Sequence, residues 1–179
     1  MLFEWWCPVK TIICVNGTMG VGKTAVCKEL SRLLPRCVFL DGDWCWDMHP
    51  FTVTEETKAM VLDNITHLLN NFIHCSAFEH VLFCWVMHQQ SILDEVVSRL
   101  DAEGCRLHLF TLECTPAALA ERLQNDIRAG IRENGILERS LSRLPLYQKM
   151  DTIHLDVSEI SACQAAQQIA GLLGCNASS

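Results

Sequence analysis

Short apolar runs alternate with longer amphipathic segments along this chain of 179 residues. Five runs rich in apolar residues predict β-strands at 11–16, 37–41, 80–87, 106–113 and 152–157. The segments between them repeat apolar positions at helical spacing, and the longest predicts a helix of about twenty residues that starts near Thr54. This alternation predicts an α/β fold with three layers, in which helices cover both faces of a five-stranded, mainly parallel sheet.

The segment between the first predicted strand and the first predicted helix reads Gly-Thr-Met-Gly-Val-Gly-Lys-Thr. It matches the whole pattern of a phosphate-binding loop, G-x-x-x-x-G-K-[ST]. The loop also lies between a predicted strand and a predicted helix, as phosphate-binding loops do. Its glycines let successive backbone N–H groups turn toward an anion, and the following helix adds the positive end of its dipole. Lys23 is placed to reach the β- and γ-phosphates, and Thr24 to offer its hydroxyl to Mg²⁺. The predicted phosphate-binding residues are Gly17, Thr18, Met19, Gly20, Val21, Gly22, Lys23 and Thr24.

Two aspartates, Asp41 and Asp43, lie at the carboxyl end of the second predicted strand, at the sheet edge that also carries the loop. A phosphoryl-transfer site needs one carboxylate that orients the acceptor hydroxyl and a second beside the metal. We assign Asp43 to the acceptor and Asp41 to the magnesium side, although the two roles could be exchanged. The alternative interpretation is a plain turn, because Asp-Gly is common in turns. His88, after the third strand, faces the same edge, where capping the next helix is favoured over contact with the acceptor.

Five of the nine arginines fall within 22 positions of this acidic chain: Arg122, Arg128, Arg132, Arg139 and Arg143. This concentration favours an anionic ligand, and we predict a lid insertion at about 128–145 that closes over a transferring phosphoryl group. The alternative is a solvated helix face on which arginines pair with neighbouring carboxylates.

Composition narrows the classes of function. The net charge of −7 argues against nucleic-acid binding, and no apolar run is long enough for a membrane span. The N-terminal segment lacks the pattern of a secretory signal, so we expect a cytoplasmic protein. The eleven cysteines include no C-x-x-C pair, and several lie in apolar runs, where cysteine acts as a small hydrophobic residue. The length suits one domain over 1–179.

The phosphate loop, the Asp-x-Asp pair and the arginine-rich segment together resemble the small P-loop kinases. That group includes shikimate and gluconate kinases, adenylate-kinase-like enzymes and chloramphenicol phosphotransferase, and the resemblance spans about residues 9–173. It implies a P-loop NTPase fold with ATP and Mg²⁺ as cofactors. By position, Arg122 would lie near the adenine and Asp41 would join Thr24 at the metal. The residues implied in catalysis are Lys23, Asp43, Asp41, Arg128 and Arg132.

The resulting hypothesis is an ATP-dependent phosphotransferase that acts on a small-molecule or nucleotide acceptor. The third strand ends without the aspartate of many P-loop ATPases, which leaves the metal role to Asp41. The substrate motifs of the named kinases are absent, so the acceptor stays open, as does the oligomeric state. The alternative is a nucleotide-binding or ATP-hydrolysing regulatory module without an acceptor. A guanine-nucleotide switch is disfavoured because no Asn-Lys-x-Asp occurs in the chain.

Overall fold

The computed structural model describes residues 9–132 and 135–175. Its centre is a parallel sheet in the order β2-β3-β1-β4-β5. The strands are β1 (Thr11–Gly17), β2 (Cys37–Asp41), β3 (His80–Cys84), β4 (Arg106–Glu113) and β5 (Ile153–Asp156). The helices are α1 (Lys23–Leu33), α2 (Glu55–His74), α3 (Gln90–Ser98), α4 (Pro116–Arg128), α5 (Ile136–Tyr147) and α6 (Ala162–Leu172), with a short 3₁₀ helix at Gly42–Trp46.

The core has two apolar layers, one on each face of the sheet. Along β1, Ile13 and Val15 face a layer that α1, α4, α5 and α6 complete, whereas Ile12 and Cys14 face a layer built mainly from α2 and α3. Successive side chains of a strand point to opposite faces, so a strand covered on both sides is apolar at nearly every position. The predicted three-layer α/β fold is therefore confirmed.

Two helix starts follow their sequence signals. The hydroxyl of Thr54 accepts a hydrogen bond from the backbone N–H of Thr57, and the Thr57 side chain completes a capping box at the start of α2. Thr115 caps α4, with Pro116 in the first turn, where a missing N–H costs nothing. These local signals fix where each crossover helix leaves the edge of the sheet.

One predicted boundary was wrong, and one segment is more regular than its sequence pattern indicated. The third strand ends at Cys84 instead of Met87, and residues 85–87 form a loop in which the backbone N–H of Trp85 still donates to the backbone oxygen of Val15. The segment after Gly135 forms a regular helix, α5, although its periodicity is weak and Pro145 lies inside it. Pro145 has no N–H to donate to the backbone oxygen of Leu141, so the helix lacks one hydrogen bond near its end.

None of the helices within the described ranges has the length and the apolar character that crossing a membrane requires.

Candidate active site

The backbone conformation and the close packing of the phosphate loop require its glycines. Gly17, Gly20 and Gly22 all have positive φ angles, of 145°, 84° and 107°. A Cβ on Gly17 would lie 2.7 Å from the carbonyl oxygen of Leu112, and one on Gly20 would lie 2.4 Å from the Cδ2 atom of Leu123. A side chain at either position would clash, so the glycines let the loop lie tightly against β4 and α4.

Lys23, the first residue of α1, is buried inside the loop. Its ammonium donates hydrogen bonds to the carbonyl oxygens of Gly17 (3.0 Å) and Thr18 (3.1 Å). Burial lowers the pKa of Lys23, while the nearby Asp41 and Asp43 favour its charged form. The Thr18 hydroxyl in turn donates to the backbone oxygen of Ser140 (3.2 Å) and so ties the loop to α5.

Thr24 and Asp41 form the best-defined polar pair of the site. The Thr24 hydroxyl donates to Oδ2 of the buried Asp41 at 2.6 Å, and Oδ1 of Asp41 accepts from the backbone N–H of Asp43 at 3.1 Å. Two oxygen ligands at the end of a phosphate loop suit Mg²⁺, which usually takes one or two protein groups and completes its shell with phosphate oxygens and water. The described residues contain no cluster of three or more His, Cys, Asp or Glu side chains with metal-binding geometry.

Asp43 lies at the mouth of the same cleft. The residue is exposed, but the cleft walls withdraw its carboxylate from water and raise its pKa, an effect that Lys23 and Arg132 oppose and Asp41 reinforces. The preceding Gly42 is packed against the ring of Trp85, which lies 2.6 Å from where a Cβ would be. Trp85 therefore fixes the turn that presents Asp43, a role that no sequence pattern indicated.

Two of the arginines in the predicted lid, Arg132 and Arg128, have different surroundings. Arg132 lines the cleft together with Lys23, Thr24 and Asp43, and its Nε donates to Asp126 at 2.9 Å. Arg128 lies at the exposed end of α4, bonded to Asn125, and is not among the residues that line the cleft. The role proposed for Arg128 from sequence stays a prediction.

Arg122 joins the loop to the β5–α6 turn. Its guanidinium donates to the backbone oxygens of Val21 (3.0 Å), Val157 and Ser158 (3.2 Å). It borders a groove whose walls are mostly apolar: Val21, Gly22, Ala25, Val26, Val157, Ile160, Ser161, Ala162 and Ala165. An apolar groove beside a phosphate loop suits a flat heterocycle such as a nucleotide base.

His88 does not cap α3, contrary to the favoured interpretation. The N-cap residue is Gln89, whose side chain makes no cap hydrogen bond. The Nδ1 atom of His88 is instead buried without a hydrogen-bond partner among the described residues.

This loop, sheet order and acidic pair define a P-loop nucleotide-binding fold. The chain belongs to the family described as AAA domain, whose model matches residues 13–139. A search of curated protein sequences gives no match.

Solved structures of similar fold include small P-loop kinases. A tunicamycin resistance protein from Deinococcus radiodurans is 21% identical with a TM-score of 0.66, and the alignment covers 92% of this chain and 96% of that one. A gluconokinase from Sinorhizobium meliloti is 21% identical with a TM-score of 0.63, covering 93% and 97%. A shikimate kinase from Acinetobacter baumannii is 23% identical with a TM-score of 0.64, covering 95% and 96%. At these identities the likeness establishes the fold.

Proposed function

We propose that this protein is an ATP-dependent phosphotransferase that moves the γ-phosphoryl group to a hydroxyl of a small-molecule or nucleotide acceptor. The observation that carries the proposal is the convergence of Lys23, the Thr24–Asp41 pair, Asp43 and Arg132 on one cleft at the phosphate loop. In the transfer, the acceptor oxygen forms a bond to the γ-phosphorus as the bond to the β-phosphate oxygen breaks.

Each residue has a role in this proposal. The loop amides and Lys23 bind the phosphates, and the groove beside Arg122 takes the base. Thr24 and Asp41 would hold Mg²⁺, which when bound neutralises phosphate charge. Asp43 orients the acceptor hydroxyl and accepts its proton, and Arg132 stabilises charge on the transferring group.

A regulatory module that only binds ATP would need the loop but not a second carboxylate at the mouth of the cleft, whereas a hydrolase would use such a carboxylate to orient water. The position of Asp43, at the exposed edge and near Lys23, therefore favours chemistry at the γ-phosphate over binding alone. The two functions differ in whether phosphate leaves the nucleotide for water or for an added compound.

A screen with labelled ATP tests the proposal directly. The panel contains hydroxyl compounds and nucleotides, and Asp43→Asn protein is the blank. We expect at least one acceptor to take up label with wild-type protein and none with the blank. Release of inorganic phosphate at the same rate with and without every acceptor would favour the regulatory module.

The two arginines near the end of α4 are expected to differ in effect. Arg132→Met should lower the transfer rate by about 10²-fold, roughly 3 kcal/mol, because it removes a charge from the cleft. Arg128→Met should cost less than about 3-fold, because that side chain lies outside the cleft lining. Steady-state rates at saturating ATP measure both, with Arg99→Met, at the residue that follows α3, as the charge-matched control. Equal losses at positions 128 and 132 would contradict the assignment.

A further inference from the structure

Trp85, the residue that follows β3, lies beside the turn that follows β2. These two strands pair with Asp41 opposite Cys84. The next residues of the two strands, Gly42 and Trp85, therefore come side by side. The backbone N–H of Trp85 donates to the backbone oxygen of Val15 at 3.3 Å, which anchors this residue to β1 just before the phosphate loop. Trp85 is thereby held between the phosphate loop and the turn.

The edge of the indole ring that carries the N–H faces this turn. A Cβ on Gly42 would lie 2.6 Å from both Cδ1 and Cγ of Trp85 and 3.0 Å from its Cβ. Cδ1 is the ring carbon bonded to Nε1, so the five-membered ring lies against Gly42. Asp43 is the next residue, and a side-chain hydrogen bond from Trp85 favours the charged form of its carboxylate.

The main chain and the side chain of Asp43 are thus held by different partners. The backbone N–H of Asp43 donates to Oδ1 of Asp41 at 3.1 Å, which fixes the turn. Asp43 is exposed, so without a partner for its side chain the carboxylate would rotate among several orientations. A carboxylate has two oxygens, and one N–H donor occupies one of them and leaves the other for a substrate.

We propose that Trp85 is a positioning residue for phosphoryl transfer, whose indole N–H holds one carboxylate oxygen of Asp43 and so directs the other toward the acceptor hydroxyl. The acceptor oxygen bonds to the γ-phosphorus as the bond from that phosphorus to the β-phosphate oxygen breaks, and the hydroxyl proton passes to the free oxygen of Asp43. The inference rests on the proposed function and adds a residue that acts on the reaction through Asp43.

A positioning role and a packing role differ in their effect on the ionisation of Asp43. Burial in the cleft raises the pKa of Asp43, Asp41 reinforces this increase, and Lys23, Arg132 and the indole N–H oppose it. Removing the N–H while an aromatic ring remains should therefore raise the pKa of Asp43 further. If Trp85 only filled space, the same change would leave this pKa where it is.

The indole resonances test the contact without any acceptor. The chain contains five tryptophans, and in protein labelled with ¹⁵N-tryptophan the Trp85 resonance is the one that Trp85→Phe removes. We expect this resonance to shift as the pH falls through the raised pKa of Asp43. The pH-dependent shift should be absent in Asp43→Asn and present in Asp47→Asn, which changes a carboxylate on the same exposed segment.

Transfer rates test the positioning itself, with an acceptor from the labelled-ATP screen. Trp85→Phe should lower kcat by about 10-fold, leave KM for MgATP within about 2-fold of wild type, and move the decrease in rate at low pH to higher pH. Trp46→Phe is the matched control, because it removes an indole N–H from the far end of the same 3₁₀ helix, where Trp46 packs against Phe51. It should keep both the rate and its pH dependence.

Gly42→Ala displaces the ring without changing it. Gly42 is not among the glycines with positive φ, so alanine fits the backbone, but its methyl group would lie 2.6 Å from the Trp85 ring and push it away. We expect this variant to change kcat and the pH dependence in the same direction as Trp85→Phe.

Three results would overturn the inference. They are a Trp85 resonance that does not move with pH, one that still moves in Asp43→Asn, and a Trp85→Phe variant whose rate falls with an unchanged pH dependence. If Trp85→Phe does not fold, the comparison of wild type with Asp43→Asn still decides, since one indole resonance should titrate only in the former. The proposed function fails separately, as a lack of MgATP binding by calorimetry, and the indole titration needs no nucleotide.

Discussion

Replacing Lys23 with alanine is expected to lower the rate of phosphoryl transfer by about 10³-fold, roughly 4 kcal/mol of transition-state stabilisation. The ammonium is the only lysine charge in the described cleft lining, and the loop carbonyls of Gly17 and Thr18 hold it in place. Lys23→Arg should not restore the rate, because the buried site holds a compact ammonium and has no space for the larger, planar guanidinium group.

The rate loss must be separated from damage to the loop. Lys23→Met keeps most of the apolar stem that fills the buried position, so it should unfold close to the wild-type temperature while losing as much activity as Lys23→Ala. Lys28→Ala, on the exposed face of the same helix, is the matched control and should leave the rate unchanged. Full activity in Lys23→Met would show that the ammonium takes no part in transfer.

The central strand β1 was predictable because its burial is uniform. All seven of its residues are buried, and its apolar run predicts the strand to within a residue. A strand that is buried on both faces has few polar positions that could suggest another element. The starts of α2 and α4 were predictable from capping residues for a similarly local reason.

The bounds of helix α5 were not predicted, and the composition of its buried face explains why. That face mixes Ile136 with Ser140 and Tyr147, so the apolar stripe that signals a helix is interrupted by polar side chains. The hydroxyls of Ser140 and Tyr147 are buried without a hydrogen-bond partner among the described residues.

The part of the candidate site that the phosphate loop and the acidic pair form was predictable from the sequence. The Thr24–Asp41 bond brings together two residues that sequence reasoning had placed at the same metal. The packing of Trp85 on Gly42 and the different surroundings of Arg128 and Arg132 depend on contacts between distant segments, and no spacing along the chain encodes them.

Asp43→Asn is expected to leave MgATP affinity within about 3-fold of wild type and to lower phosphoryl transfer by about 10³-fold. The backbone N–H of Asp43, not its carboxylate, bonds to Asp41, so the amide variant preserves the turn and the Thr24–Asp41 pair. What it removes is the carboxylate that accepts the proton of the acceptor. Calorimetry with MgATP and a labelled transfer assay measure the two quantities on one preparation.

The pH dependence supplies a second readout of the same group. Because the cleft raises the pKa of Asp43 above the usual 3.8, its carboxylate takes up a proton at a higher pH than an ordinary aspartate does. The transfer rate of wild-type protein should therefore decrease as the pH drops through that raised pKa. The residual transfer rate of Asp43→Asn should not show this decrease at low pH. Asp47→Asn, on the same exposed segment, should keep both the transfer rate of wild-type protein and its decrease at low pH.

Equal loss of MgATP binding and transfer in Asp43→Asn would instead place this carboxylate with the nucleotide, and an unchanged transfer rate would give the acceptor-facing role to Asp41.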